Sequence, residues 1–143
     1  MLGAWLVIAS TLAVVSGCNR GPTMLPVSGK VLYNGKPLEF GSITFQPSAG
    51  QPAGGEIHSD GSFTLSTYRL NDGAVVGLHK VRIACYESQK PGAPKKPGEQ
   101  TLGRLLIPQN YTLFDQSGLT ADVRPENKEP FVFELKGPAG QAP

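Results

Sequence analysis

Two cysteines and two histidines are all that the 143 residues contain. Without acidic or cysteine partners at ligand spacing, His58 and His79 do not make a zinc site. Charge of either sign is also scarce. Thirteen Lys+Arg stand against eleven Asp+Glu, a formal +2. No Lys/Arg run is interleaved with aromatics, and neither helix-turn-helix nor zinc-finger spacing occurs, so nucleic acid is not an expected partner. The chain lacks a Gly-rich phosphate loop and a Gly-x-Ser-x-Gly elbow. Asp60-Gly61 and Asp72-Gly73 lack the multi-oxygen loop of a calcium site, and turn chemistry accounts for both pairs. Neither a metal nor a cofactor is expected. No helical i, i+3, i+4 pattern follows Cys18, which excludes an α-helical domain.

What is present begins with an apolar run from Leu2 to Val15. About 20 apolar residues are needed to cross a bilayer as a helix, so the run is short for a permanent anchor. It has the length of a signal-peptide h-region. Val15-Ser16-Gly17-Cys18 resembles the lipobox of bacterial lipoproteins. That resemblance implies cleavage between Gly17 and Cys18 and a diacylglycerol on the Cys18 thiol. Each buried CH₂ contributes about 0.8 kcal/mol, and two acyl chains hold a protein durably where one holds it marginally. Residues 1–17 contain no Lys or Arg. This leaves two readings open, a true start upstream of Met1 or less efficient export. Asn19 to Pro26, with Gly21 and Pro22, reads as a tether.

The length suits one domain rather than two. Gly 18 and Pro 13 suit short strands separated by turns. Pro26 to Tyr33 reads as a strand with Val27, Val31 and Tyr33 on one face, followed by the turn pair Asn34-Gly35. In Gly41 to Gln46, Ile43 and Phe45 alternate with Ser42, Thr44 and Gln46. Glu56 to Ser66 reads as a hairpin. A two-residue Asp60-Gly61 loop would put Ile57 and Phe63 on opposite faces. A three-residue loop, Ser59-Asp60-Gly61, sets Ile57 opposite Phe63, so the hydrophobic pattern selects it. Leu78 to Tyr86, Leu119 to Val123 and Phe131 to Leu135 complete about seven strands. Together they predict an all-β antiparallel sandwich. Tyr68 to Gly77 reads as irregular, Gln89 to Gln100 as an exposed loop, and Gly137 to Pro143 as a flexible tail. The expected organisation is therefore a signal peptide over 1–17, the lipidated cysteine and tether over 18–26, a sandwich over 27–136 and the tail over 137–143.

Alternation places Val81, Ile83 and Cys85 on one face of their strand and Arg82 and Tyr86 on the other. With no histidine beside it in that pattern, Cys85 reads as a core residue and not a nucleophile. His79 shares parity with Val81 and reads as structural, whereas His58 reads as solvated. Lys90, Lys95 and Lys96 fall in the proline-rich loop. They form a candidate anion-contacting patch, with a solvated loop as the simpler alternative.

Several segments together resemble a family of small planctomycete lipoproteins, close in fold to carboxypeptidase-regulatory-like and transthyretin-like domains. They are Val27-Ser-Gly-Lys-Val31-Leu-Tyr-Asn-Gly-Lys36-Pro-Leu, Gly41-Ser-Ile-Thr-Phe45, Ser59-Asp-Gly-Ser-Phe-Thr-Leu65, Gly77-Leu-His-Lys-Val81 and Ser117-Gly-Leu-Thr-Ala121. The resemblance implies a prealbumin-like sandwich outside the cytoplasm and no particular reaction. Transthyretin-like hydrolases of purine derivatives use a His/Arg/His site and a tyrosine-containing C-terminal motif, neither of which matches this chain. The expectation is a non-enzymatic envelope lipoprotein, held to a membrane through Cys18 and facing the periplasm or exterior. An envelope protein or polysaccharide is its expected partner. A small hydrolase or an accessory module of a larger complex are the alternatives.

Overall fold

A computed structural model describes residues 21–94, 98 and 101–138. The fold is all-β, and the described residues contain no α-helix. Ten strands form: β1 Met24–Leu25, β2 Ser28–Tyr33, β3 Lys36–Pro37, β4 Gly41–Pro47, β5 Ala53–Ile57, β6 Ser62–Thr64, β7 Ala74–Val75, β8 Gly77–Ala84, β9 Leu119–Val123 and β10 Phe131–Leu135. One four-stranded sheet runs β5-β4-β8-β9, antiparallel throughout. A second is built on β2, with β10 on one side and β3 and β6 sharing the other. A short antiparallel ribbon joins β1 to β7.

The core lies between the inward faces of the two larger sheets. Val31, Phe63, Leu65, Phe133 and Leu135 come from one side, and Ile43, Phe45, Val81 and Ile83 from the other. Period-two alternation produces this, because successive side chains point to opposite faces of a strand. In β4 the residues Gly41, Ile43, Phe45 and Pro47 are buried, while Ser42, Thr44 and Gln46 are half-buried. Phe45 sits at the centre of an aromatic cluster. Its ring centroid lies 6.2 Å from Phe63, 5.9 Å from Phe131 and 5.8 Å from Phe133, the latter two edge-on. Edge-to-face pairs at this spacing add to the stabilisation from area burial alone.

The three-residue hairpin loop forms as the hydrophobic pattern requires. The His58 N–H donates to the Ser62 carbonyl at 2.9 Å, and the Gly61 N–H donates to the His58 carbonyl at 2.8 Å. Gly61 takes a left-handed φ of 80°. Two arms leave this turn for different sheets, β5 to β4 and β6 to β2. They are joined again where Gly54 and Ser66 exchange both backbone hydrogen bonds at 2.9 Å. The hairpin is thus a corner linking the two layers.

Four features differ from the sequence expectation. The strand count is ten and not seven, because the pairs Met24–Leu25, Lys36–Pro37 and Ala74–Val75 each form a two-residue strand too short to carry an alternation signal. The sandwich is not wholly antiparallel: β10 pairs parallel to β2, in register from Phe131 opposite Gly29 to Leu135 opposite Tyr33. The tether expected over 18–26 gives way to structure at Met24, where β1 pairs with β7 and Leu25 packs on the core. Residues 139–143 lie outside the described residues; Gly137, where the tail is expected to start, is tied to the domain, because its N–H donates to Asn34 Oδ1 at 3.0 Å. A Cβ there would fall within 1.8 Å of the Tyr33 hydroxyl, so glycine lets the chain lie against that ring.

The β2–β10 pair makes a close approach at Gly29. A Cβ on this residue would lie 2.3 Å from the Phe131 carbonyl oxygen and 2.6 Å from the Phe63 ring. Gly29→Ala is expected to destabilise the domain by about 1–3 kcal/mol or more, the range for overpacking a filled core. A fall in the urea midpoint at unchanged slope measures it; an unchanged midpoint would contradict the packing described.

Candidate functional site

The chemically reactive side chains are placed first. Cys85 follows β8 and is fully buried. Burial pushes its thiol from an ordinary 9.0 up to about 12. Since the thiolate is the nucleophile, this environment suppresses reactivity. His79 is also fully buried, on the core face of β8. Its Nε2 lies 2.7 Å from the Val75 carbonyl oxygen, which assigns the proton to Nε2. The imidazole packs against Phe45 at 5.7 Å. His79 therefore ties the short strand β7 to β8, as its parity with Val81 suggests. His58 is exposed at the hairpin corner. Gly41 pairs with Ile57 and leads into β4, whose far end, Pro47, pairs with His79. Six residues of extended strand separate the two histidines' levels, about 20 Å. They do not share a site.

The two Asp-Gly pairs serve turns. Asp60 accepts from the Ser62 N–H at 3.0 Å and the Ser62 hydroxyl at 2.6 Å, which holds its carboxyl below the usual range. Asp72 accepts from three backbone amides, Thr67 at 2.6 Å and Tyr68 and Arg69 at 2.9 Å. Those bonds likewise hold its carboxyl down. Among the described residues, no group of three or more His, Cys, Asp or Glu is placed to hold a metal ion.

Of the expected lysine patch, Lys90 alone falls among the described residues. Lys90 lines a cleft of about 520 Å³ together with His58 and two carboxylates, Glu39 and Glu56. An anion entering it would meet two negative charges for one lysine, which works against the anion reading. Lys95 and Lys96 lie outside the described residues. So do Gly17 and Cys18, the expected cleavage and lipidation positions.

A group of polar side chains lies on the outer face of the β5-β4-β8-β9 sheet. Cross-strand register sets Thr44 beside Arg82 and Ser42 beside Ala84. With Tyr86 and Leu102 these residues line an open groove of about 250 Å³. Its rim is clamped by Gln89, which donates to Ser42 Oγ at 3.2 Å and accepts from the Tyr86 N–H at 2.8 Å. The Glu87–Arg104 ion pair, at 3.2 Å, ties the same loop to the segment that follows. The Arg82 guanidinium lies 5.0 Å over the Phe114 ring, and no carboxylate among the described residues pairs with it. Hydroxyls, an aromatic side chain and a planar donor supply groups for hydrogen bonding and stacking on this face. Sequence reasoning set Arg82 and Tyr86 on one face but missed the groove. The clamping loop, which closes its rim, comes from a segment without periodic signal.

Compared with known proteins, the chain matches no family model, no curated protein and no solved structure.

The placement of Cys85 carries a pH prediction. A folded-state pKa raised above the unfolded value contributes stability that is full below about 9 and is lost as pH rises toward 12. The wild type is expected to exceed Cys85→Ala by about 1 kcal/mol near neutral pH. This advantage should narrow between pH 9 and pH 12 in parallel urea titrations. Thiol labelling should be far slower in the folded protein than in denaturant. Fast labelling of the folded state would contradict the buried assignment.

Proposed function

We propose that this chain is a non-enzymatic envelope lipoprotein, a small β-sandwich held to a membrane by a lipid on Cys18. In this reading it presents the outer face of its four-stranded sheet to an envelope polysaccharide or protein. The observation that carries the reading is the disposal of the reactive groups. The thiol and the buried imidazole are spent inside the core, whereas Thr44, Arg82 and Tyr86 line a groove on the outer face of the sheet. Catalysis needs a nucleophile beside a base. Binding needs a rigid face with unspent polar groups, and this sheet supplies one. The separation of the two histidines weighs against a transthyretin-like hydrolase.

The anchor rests on the sequence. The apolar run, the Val15-Ser16-Gly17-Cys18 pattern and the short polar connection to β1 form a consistent order. Among the described residues no helix is long and apolar enough to cross a membrane. The resemblance to small planctomycete lipoproteins adds support as an interpretation of the same motifs.

Cys18→Ser is expected to move the protein from the membrane fraction to the soluble fraction, with loss of the acyl mass from the N-terminal peptide. Mass spectrometry showing Cys18 unmodified and still joined to residues 1–17 would overturn the anchor. For the binding face, Arg82→Ala with Tyr86→Ala should abolish retention on isolated envelope polysaccharide while the free energy of unfolding from urea titration stays within about 1 kcal/mol of wild type.

A further inference from the structure

The loop between β6 and β7 is tied down more firmly than an exposed loop requires. The Asp72 carboxylate collects the Thr67, Tyr68 and Arg69 amides. The Asn71 N–H donates to Ser66 Oγ at 2.8 Å, and Thr67 Oγ1 donates to the Gly73 carbonyl at 2.7 Å. Asn71 and Gly73 hold left-handed φ values of 60° and 85°. Yet the tip of this fixed loop presents apolar groups to solvent. Tyr68 is 56 % exposed and Leu70 is 86 % exposed, with Arg69 exposed between them. Single exposed hydrophobic residues are ordinary. Two on one pre-ordered tip, flanking a cation, make an anchor whose backbone entropy is already spent.

The position of the loop identifies what it meets. Its base rests on β1: Ala74 pairs with Leu25, and the Val76 N–H donates to the Thr23 carbonyl at 3.0 Å. A Cβ at Gly73 would lie 1.8 Å from the Leu25 carbonyl oxygen, so the loop and the incoming chain are in direct contact. Cys18 precedes Met24 by six residues. Even fully extended, such a segment reaches about 20 Å. The end of the sandwich that carries Tyr68 and Leu70 is therefore the end held nearest the lipid. Charge agrees with this placement. The carboxylate of the loop is engaged with its own amides, which leaves Arg69 as the outward charge, suited to lipid phosphate.

We propose that Tyr68, Arg69 and Leu70 form a membrane-docking tip. Leu70 enters the headgroup–acyl boundary, the Tyr68 ring lies at the interface with its hydroxyl toward water, and Arg69 contacts phosphates. The tip and the anchor make two contacts with one bilayer and fix the tilt of the domain. The outer face of the β5-β4-β8-β9 sheet then stands at a set angle to the membrane. The inference rests on the Cys18 anchor proposed above.

The test uses the full chain, expressed, processed and purified in its lipidated form. Its single tryptophan, Trp5, lies in the segment expected to be removed, so a new tryptophan reports alone. Tyr68→Trp and Leu70→Trp are reconstituted in vesicles of phosphatidylethanolamine and phosphatidylglycerol, with and without brominated acyl chains. Lys36→Trp, at the opposite end of β2, is the control. Blue-shifted emission and bromine quenching are expected for the two tip positions, with neither for the control. Acylated, vesicle-bound protein whose tip emission matches the control would overturn the docking tip while leaving the anchor standing. A blue shift without bromine quenching would assign the tip to a protein contact and also overturn it. An unacylated Cys18 in the mass spectrum would overturn the anchor itself, and with it the orientation on which the tip depends.

Discussion

Phe45 is the contact on which the two layers depend. It projects from the middle of β4 and meets Phe63, Phe131 and Phe133 of the opposing sheet and His79 of its own. Aromatic side chains dominate core energetics because each removes a large area from water. One ring that touches β6, β10 and β8 at once couples strands far apart in the chain. Through His79 the coupling continues to the Val75 carbonyl and so to β7, which pairs with β1. The first strand among the described residues is linked to the core by this route.

Where apolar burial cannot reach, carboxylates organise the chain. The hairpin corner and the β6–β7 loop both lie outside the core, and each is held by an aspartate that accepts hydrogen bonds from nearby amides. An ionised carboxylate is a stronger acceptor than a neutral carbonyl, so a few such bonds define a loop that lacks hydrophobic support. These aspartates are structural ties. Asp72 spends both oxygens on backbone amides, and Asp60 spends Oδ1 on the Ser62 N–H and hydroxyl.

Much of the fold is legible in local alternation, and what is not legible is non-local. Ile43 with Phe45, Val81 with Ile83, and Phe133 with Leu135 announce their inward faces by period two. The Ser59-Asp60-Gly61 loop follows from the need to keep Ile57 and Phe63 together. Pairing partners are another matter. That β10 lies parallel to β2 depends on the route of the chain over residues 34–130 between them, and nothing in Phe131–Leu135 encodes it. The divergence of β5 and β6 into separate sheets is equally hidden. Gly55, where a Cβ would fall 2.5 Å from the Thr64 carbonyl, records how close the arms pass at the corner. Of the candidate site, the shared face of Arg82 and Tyr86 was legible. The loop that closes the groove around them was not, because its hold on Ser42 runs through Gln89, 47 residues away in sequence.

The distribution of polar groups between the two ends of the sandwich gives the molecule a direction. At one end the chain emerges toward Cys18 beside a loop fixed by Asp72. At the other lie the Asn34-Gly35 turn and the hairpin corner. Between them runs the β5-β4-β8-β9 sheet, its inward residues consumed by the core and its outward ones turned away from it. A period of two forces this division: a strand that buries Ile43 and Phe45 must turn Ser42 and Thr44 outward. The same constraint in β8 buries Val81 and Ile83 and exposes Arg82. Core formation and the display of the outer face are therefore one event, and a register slip in either strand would lose both.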